Sequence, residues 1–274
     1  MLRKRVLVSS GEWAVAEVRC TGGGRGWSPT ERADGYTLVF VRSGCFRRRV
    51  AGADLFADPC TAYFEQPGQE QQVAHPGPGG DVCLAIELSA SLVAATFGGE
   101  VEVPVRPIFT DDALDLDQRL LAAAIRSHRG DPAVIEDRIV SCLAGAAARC
   151  RPSRVESGRP ATVARRRGLV AGTRELLMLD PSLGLIELAA LAGTSPHHLS
   201  RTFARETGEG VARYRNRLRM RLALERLAAG ETSLARLAAE LGFADQSHFC
   251  SVVRRAYGAP PSALRAVLQD KANA

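Results

Sequence analysis

Apolar and polar positions change rhythm twice along this chain. Up to about Ile108, short runs rich in β-branched and aromatic residues alternate with turn-forming clusters. The runs are Tyr36-Thr-Leu-Val-Phe-Val41, Thr61-Ala-Tyr-Phe64 and Val82-Cys-Leu-Ala-Ile-Glu-Leu88; the clusters are Arg42-Ser-Gly44, Ala57-Asp-Pro59, Gln66-Pro-Gly68 and His75-Pro-Gly-Pro-Gly-Gly-Asp81. Strands at such close spacing predict a small barrel or sandwich. Two amphipathic helices follow. Asp111-Asp112 can open one carrying Leu114, Leu120, Leu121, Ala124 and Ile125, ended by Gly130. Asp131-Pro132 supply an N-cap and first-turn proline for another, carrying Val134, Ile135, Ile139, Leu143 and Ala146. Their apolar faces have two outlets, the barrel or a second copy of the chain.

The segment Arg151-Pro-Ser-Arg-Val-Glu-Ser-Gly-Arg-Pro160 has no apolar period and reads as a linker, and everything after it reads as helix. The expected fold is therefore α+β in two domains. A β-rich domain over residues 1–108 is followed by a helical pair over 109–150, available for dimerisation. A linker over 151–164 leads to an all-α domain over 165–268.

The all-α domain repeats itself. Leu188-Ala-Ala-Leu-Ala-Gly193 aligns with Leu237-Ala-Ala-Glu-Leu-Gly242, and further on Leu199 aligns with Phe249, Phe203 with Val253, Arg205 with Arg255 and Gly208 with Gly258. Each copy reads as a short helix with a small residue, Ala189 or Ala238, then a glycine turn, then a second amphipathic helix stopped by glycine. Thr194 or Ser195, with Pro196 behind it, can cap one second helix, and Asp245 the other. This is the grammar of two helix-turn-helix units, in which the second helix enters the major groove. With Leu199 and Phe203 turned inward, the outward face of the first holds His197, His198, Ser200, Arg201 and Arg205. In the second, Phe249 and Val253 turn inward and Gln246, Ser247, His248, Cys250, Ser251, Arg254 and Arg255 outward. Arg201 can fork onto a guanine. Between the copies, residues 210–229 read as one long helix with Leu218, Leu222, Ala223 and Leu227 inward and Arg213, Arg215, Arg217, Arg219 and Arg221 as an outward basic stripe.

Charge supports this division. Of 36 basic and 30 acidic residues, 17 and 10 lie from Pro160 onward, so that part carries +7 while the remainder carries −1. A basic domain joined to a neutral one is the balance expected of a nucleic-acid binder with a sensor or assembly domain. Arg3-Lys4-Arg5 precedes only a three-residue apolar run, too short for a signal peptide, and no segment is long and apolar enough to span a membrane, so a cytoplasmic location is expected. Seven scattered cysteines without a CxxC pair read as reduced thiols.

Ser195-Pro-His-His-Leu-Ser-Arg-Thr-Phe203 with Gly208, and Leu241-Gly-Phe-Ala-Asp-Gln-Ser-His-Phe249 with Gly258, Pro261-Ser262 and Arg265, resemble the two halves of the AraC/XylS signature. The resemblance implies a bipartite domain reading adjacent major-groove segments of double-stranded DNA, commonly activating transcription through contact with RNA polymerase. Many relatives carry arginine where Ser251 stands and a Phe-Lys pair where Val253-Arg254 stands. The second unit is therefore expected to grip phosphate more than to read bases.

The first hundred residues resemble the cupin-type effector domain that often precedes this module, through Gly35-Tyr-Thr-Leu-Val-Phe-Val-Arg-Ser-Gly44, Tyr63-Phe-Glu-Gln-Pro-Gly-Gln69 and His75-Pro. Enzymatic cupins gather several histidines on one metal. Here His75 is the only histidine before His128, so neither metal, cofactor nor catalysis is expected. A barrel mouth can still take a small-molecule effector, with Tyr36, Phe40, Tyr63, Glu65, Gln69, His75 and Glu87 as candidate lining. A homodimeric, effector-controlled regulator is the main expectation. The alternatives are a barrel that only dimerises, one that senses redox state through its cysteines, and a cupin enzyme fused to a helical domain.

Overall fold

The computed structural model describes residues 2–22, 26–77, 79–99, 102–127, 131–150 and 159–269. The β-domain is built from two antiparallel sheets. Strands β1 (Leu2–Ser9), β2 (Trp13–Cys20), β4 (Tyr36–Ser43), β7 (Thr61–Glu65), β9 (Asp81–Leu88) and β10 (Ile108–Phe109) form the larger, in the order β1-β2-β9-β4-β7-β10. Strands β3 (Glu31–Arg32), β5 (Phe46–Val50), β6 (Ala53–Ala57) and β8 (Glu70–Ala74) form the smaller, in the order β3-β8-β5-β6. All three apolar runs singled out in the sequence are strands of the larger sheet, β4, β7 and β9, lying side by side. Strand β5 escaped notice because Arg47-Arg48-Arg49 interrupts its apolar pattern.

The central strands β4, β7 and β9 of the larger sheet are buried on both faces. One face packs Val39, Val41, Tyr63, Cys83 and Ala85 towards Phe46 and Ala57 of the smaller sheet. Its other face packs Leu38, Phe40, Phe64, Leu84 and Ile86 against helices α1 (Ala90–Thr96), α2 (Asp112–Arg126) and α3 (Pro132–Ala147). The helical pair therefore takes the first of its two outlets, the barrel: Leu114, Leu121, Ile125, Ile135, Ile139 and Leu143 all enter this core. Asp111 and Asp131 cap α2 and α3 as expected. Two positions depart from the expected inward set. Val134 is exposed, and Leu120 points away from the barrel into the core of the second helix-turn-helix unit. Gly130 and most of the linker lie outside the described residues.

The all-α domain comprises α4 (Pro160–Leu179), α5 (Leu185–Leu191), α6 (Pro196–Thr207), α7 (Val211–Ala228), α8 (Leu234–Glu240), α9 (Gln246–Tyr257) and α10 (Pro261–Gln269). It has two cores. Val170, Leu177, Leu188, Leu199, Phe203, Tyr214 and Leu218 hold α4, α5 and α6 to the first half of α7. Leu224, Leu227, Leu237, Phe249, Val253, Leu264 and Leu268 hold α8, α9 and α10 to its second half. The part of the chain before α4 enters both, through Cys60 and Phe109 in the first and Leu116 and Leu120 of α2 in the second. Among the described residues no helix is long and apolar enough to cross a membrane.

Candidate functional site

The paired helices α5–α6 and α8–α9 share their local chemistry. Gly193 and Gly242 take positive φ, 63° and 73°, in the turns between the helices. The backbone N–H of His198 donates to Ser195 Oγ at 3.2 Å, so Ser195, not Thr194, caps α6; that of His248 donates to Asp245 Oδ1 at 2.7 Å, capping α9. Gly208 and Gly258 stop both helices in the left-handed conformation that favours glycine. Leu199, Phe203, Phe249 and Val253 are all fully buried.

The inward faces fix what faces out. On α6, His197, His198, Arg201 and Arg205 are exposed and Ser200 is half-buried; on α9, Gln246, Ser247, His248, Ser251, Arg254 and Arg255 are exposed. Each face begins at a capped, electropositive helix end suited to an anionic partner. The long donors are distributed unequally. Arg201 stands in the second turn of α6, where a groove-inserted helix meets base edges, whereas the arginines of α9 sit in its last turn.

Helix α7 corrects one expectation. Its arginines do not form an outward stripe, because residues two apart on an α-helix point to nearly opposite sides. Arg213 alone of the five is strongly exposed; Arg215 Nη1 donates to the carbonyl of Leu183 at 2.8 Å and Arg219 Nε to that of Pro181 at 2.7 Å. Arg217 pairs with Glu209, and Arg221 is fully buried. Most of this charge holds the protein together and is not offered to a ligand.

The buried arginines anchor the DNA-facing domain to the β-domain at two points. At the first, Arg174 of α4 donates Nε to Asp58 Oδ2 at 2.9 Å and Nη1 to the carbonyl of Phe56 at 3.0 Å, and the Tyr214 hydroxyl donates to the same Asp58 carboxylate. Asp58 follows β6 and is completely buried. The second anchor is larger. Arg221 Nη1 reaches the Tyr257 hydroxyl at 2.6 Å, Asp112 at 3.1 Å and Asp115 at 3.2 Å. Arg119 bridges Asp115 at 3.0 Å and Glu225 at 2.7 Å, and Arg42, from the end of β4, completes the group on Glu225 at 3.0 Å. Sequence reading missed both anchors. Each joins residues more than a hundred positions apart, and nothing local distinguishes a buried arginine from a basic surface.

Between the two sheets lies a cavity of about 1160 Å³. Of the candidate lining residues, Tyr36, Tyr63, Glu65, His75 and Glu87 border it, joined by Trp13 and Phe46. Two do not. Phe40 sits on the opposite face of β4 in the helix-covered core, and Gln69 borders a smaller hollow beside Arg49 and Gln66. Two polar pairs punctuate the wall. Glu65 accepts from Gln71 at 2.9 Å, while Gln71 in turn accepts from the buried Arg48 at 2.8 Å; His75 Nε2 meets Asp81 Oδ1 at 2.6 Å. The Arg48 guanidinium lies 3.8 Å from the centre of the Tyr63 ring. Burial pushes the Cys45 and Cys60 thiols up to about 12 and that of Cys150 to about 11, which leaves little thiolate for redox chemistry at those positions.

Residues 188–266 match a family model described as a helix-turn-helix domain. The chain is 34% identical over 95 residues to the regulatory protein PocR of Salmonella typhimurium, which is 35% of this chain and 31% of that protein. It is 33% identical over 87 residues to the HTH-type transcriptional regulator GlxA of Rhizobium meliloti, 32% of this chain and 27% of that one. The chain thus matches less than a third of either relative's length. Among solved structures, ToxT of Vibrio cholerae with a bound unsaturated fatty acid aligns over 97% of this chain and 99% of its own, at 10% identity and a TM-score of 0.38. The tandem units, their caps and glycine stops, and the matched segment together identify residues 188–266 of this chain as a helix-turn-helix domain.

Proposed function

We infer that the chain is a sequence-specific, double-stranded-DNA-binding transcription regulator controlled by a small-molecule effector. The observation that carries this reading is the pair of capped helices, α6 and α9, each exposing a basic polar face over a buried apolar one. Helix α7, with 18 residues, is about 27 Å long. That length suits two recognition helices set about one DNA turn, roughly 34 Å, apart along one side of a duplex. The names of the matched relatives are those of regulators and not of enzymes. Activation through contact with RNA polymerase and assembly as a homodimer belong to the same reading; α3 leaves Val134 and Val140 exposed for such a contact.

The effector belongs in the cavity between the sheets, where aromatic rings offer area and the carboxylates of Glu65 and Glu87 offer orientation. Strand β4 connects the two activities. Tyr36, Thr37 and Val39 border the cavity, and Arg42 at its far end holds Glu225 of α7. A ligand that shifts β4 thereby acts on the anchor of the DNA-facing domain.

Selection of bound duplexes from a random pool tests the first half of this reading. Enriched sites should contain two elements about one turn apart, and binding should weaken steeply with salt as counterions are displaced. Failure to enrich any sequence would overturn it. For the second half, a small molecule that stabilises the chain thermally should also change operator affinity, and Ala85→Phe, which projects a ring into the cavity, should weaken that response while leaving basal DNA binding. A response unchanged by this obstruction would place the effector elsewhere.

A further inference from the structure

One corner of the cavity gathers side chains of metal-ligating type. Cys20 at the end of β2 and Asp81 at the start of β9 are direct cross-strand partners, so their side chains share a face of the larger sheet. Cys83, two residues on from Asp81, lies on that face too, and its thiol donates to Asp81 Oδ2 at 3.3 Å. His75, one residue past β8, reaches across from the smaller sheet to Asp81 Oδ1. Ligand atoms of Cys20, His75 and Asp81 lie within 4.8 Å of one another. All four residues border the cavity, and His75, Asp81 and Cys83 are each less than a tenth exposed.

The backbone is shaped to bring them together. A Cβ at Gly80 would stand 1.7 Å from the Cys20 carbonyl oxygen, and one at Gly44 would stand 2.1 Å from the Gly80 carbonyl oxygen. Only glycine permits these approaches, and they press the start of β9 against the end of β2. An Asp–His pair would account for two of the three groups. It leaves unexplained why the Cys20 sulfur stands beside them at the cavity wall.

We propose that Cys20, His75 and Asp81 form a binding site for a thiophilic divalent cation, zinc being the ion whose preferences they fit. One nitrogen, one carboxylate oxygen and one sulfur, with a water in the fourth position, are a donor set suited to tetrahedral zinc and foreign to magnesium or calcium. The ion would tie the two sheets together at the cavity wall. The ligand set differs from the histidine cluster that the sequence reading looked for; cysteine takes the place of the missing histidines.

The full-length chain, stripped with a chelator under reducing conditions, is titrated with cobalt and then with zinc. One equivalent of cobalt should give the thiolate-to-metal charge-transfer absorption of a tetrahedral site, and zinc should displace it. Cys20→Ser should abolish that absorption and weaken zinc about 100-fold or more, whereas Cys45→Ser should leave both unchanged. Alkylation mapped by mass spectrometry gives a second readout on the unaltered protein, in which zinc should shield Cys20 but not Cys250. Failure to bind cobalt, a spectrum without the charge-transfer band, its survival in Cys20→Ser, or unchanged alkylation of Cys20 would each overturn the proposal. A chain that selects an operator and answers an effector yet takes no zinc would overturn this inference alone.

Discussion

The two helix-turn-helix units are built alike and tied down differently. Neither buried anchor includes a residue of helix α6; the anchor on its side, Asp58 with Arg174 and Tyr214, holds α4 and α7 instead. Helix α9 ends in Tyr257, whose hydroxyl accepts from Arg221 inside the larger anchor. Helix α6 thus lies outside the anchors, and helix α9 is held at its own C-terminal end. Under the proposed function, discrimination falls to the first unit and coupling to the β-domain to the second.

The sharpest way to break this contrast is Arg221→Ala. The substitution leaves Asp115 buried beside one arginine fewer, and losing one partner of a buried ion pair costs about 3–5 kcal/mol. Urea unfolding should show a loss of that size, and hydrogen exchange should rise in α9 well before α6. Equal loosening of both helices would erase the distinction. Acid should act on the same anchor. Burial works to raise the Asp115 and Glu225 carboxyls, but Arg119 and Arg221 around the first, and Arg42 and Arg119 around the second, outweigh it and hold both below their ordinary values. The stabilisation is therefore fully present above the ordinary carboxylate range, about pH 3.9 to 4.3, and is lost as pH falls below it through the folded values. A titration followed by α9 protection should show this loss, which Arg221→Ala should blunt.

Smaller effects separate the reading faces. Arg201→Ala should weaken operator binding by about 1–3 kcal/mol and relax one half of the site. Arg254→Ala should weaken all sequences alike and lower the salt slope by about one. If the two substitutions exchanged these signatures, the assignment of reader and grip would be reversed. Smallest are the caps: Ser195→Ala and Asp245→Ala should each cost about 1 kcal/mol of stability, measured by thermal unfolding.

Features fixed within one or two turns of chain were legible beforehand. Ser195, Asp245, Gly208 and Gly258 set helix ends through bonds to their immediate neighbours, and Asp111 and Asp131 did the same for α2 and α3. Strand facing was less legible. Leu38, Val39, Phe40 and Val41 are all buried, so β4 shows no alternation by which Phe40 can be assigned to one side. Long-range chemistry was hidden altogether. Arg221 and Arg119 look like solvated helix charges until Asp112, Asp115 and Glu225 close around them, and the neighbours of His75 come from β2 and β9.

The single helix α7 that joins the two units has a further consequence. It links unlike readers head to tail in one polypeptide, so the DNA they select together need not have a dyad. Such a site has a direction. Turned end for end, it would present each recognition helix with the other's bases, and one chain could tell upstream from downstream before any second copy arrived.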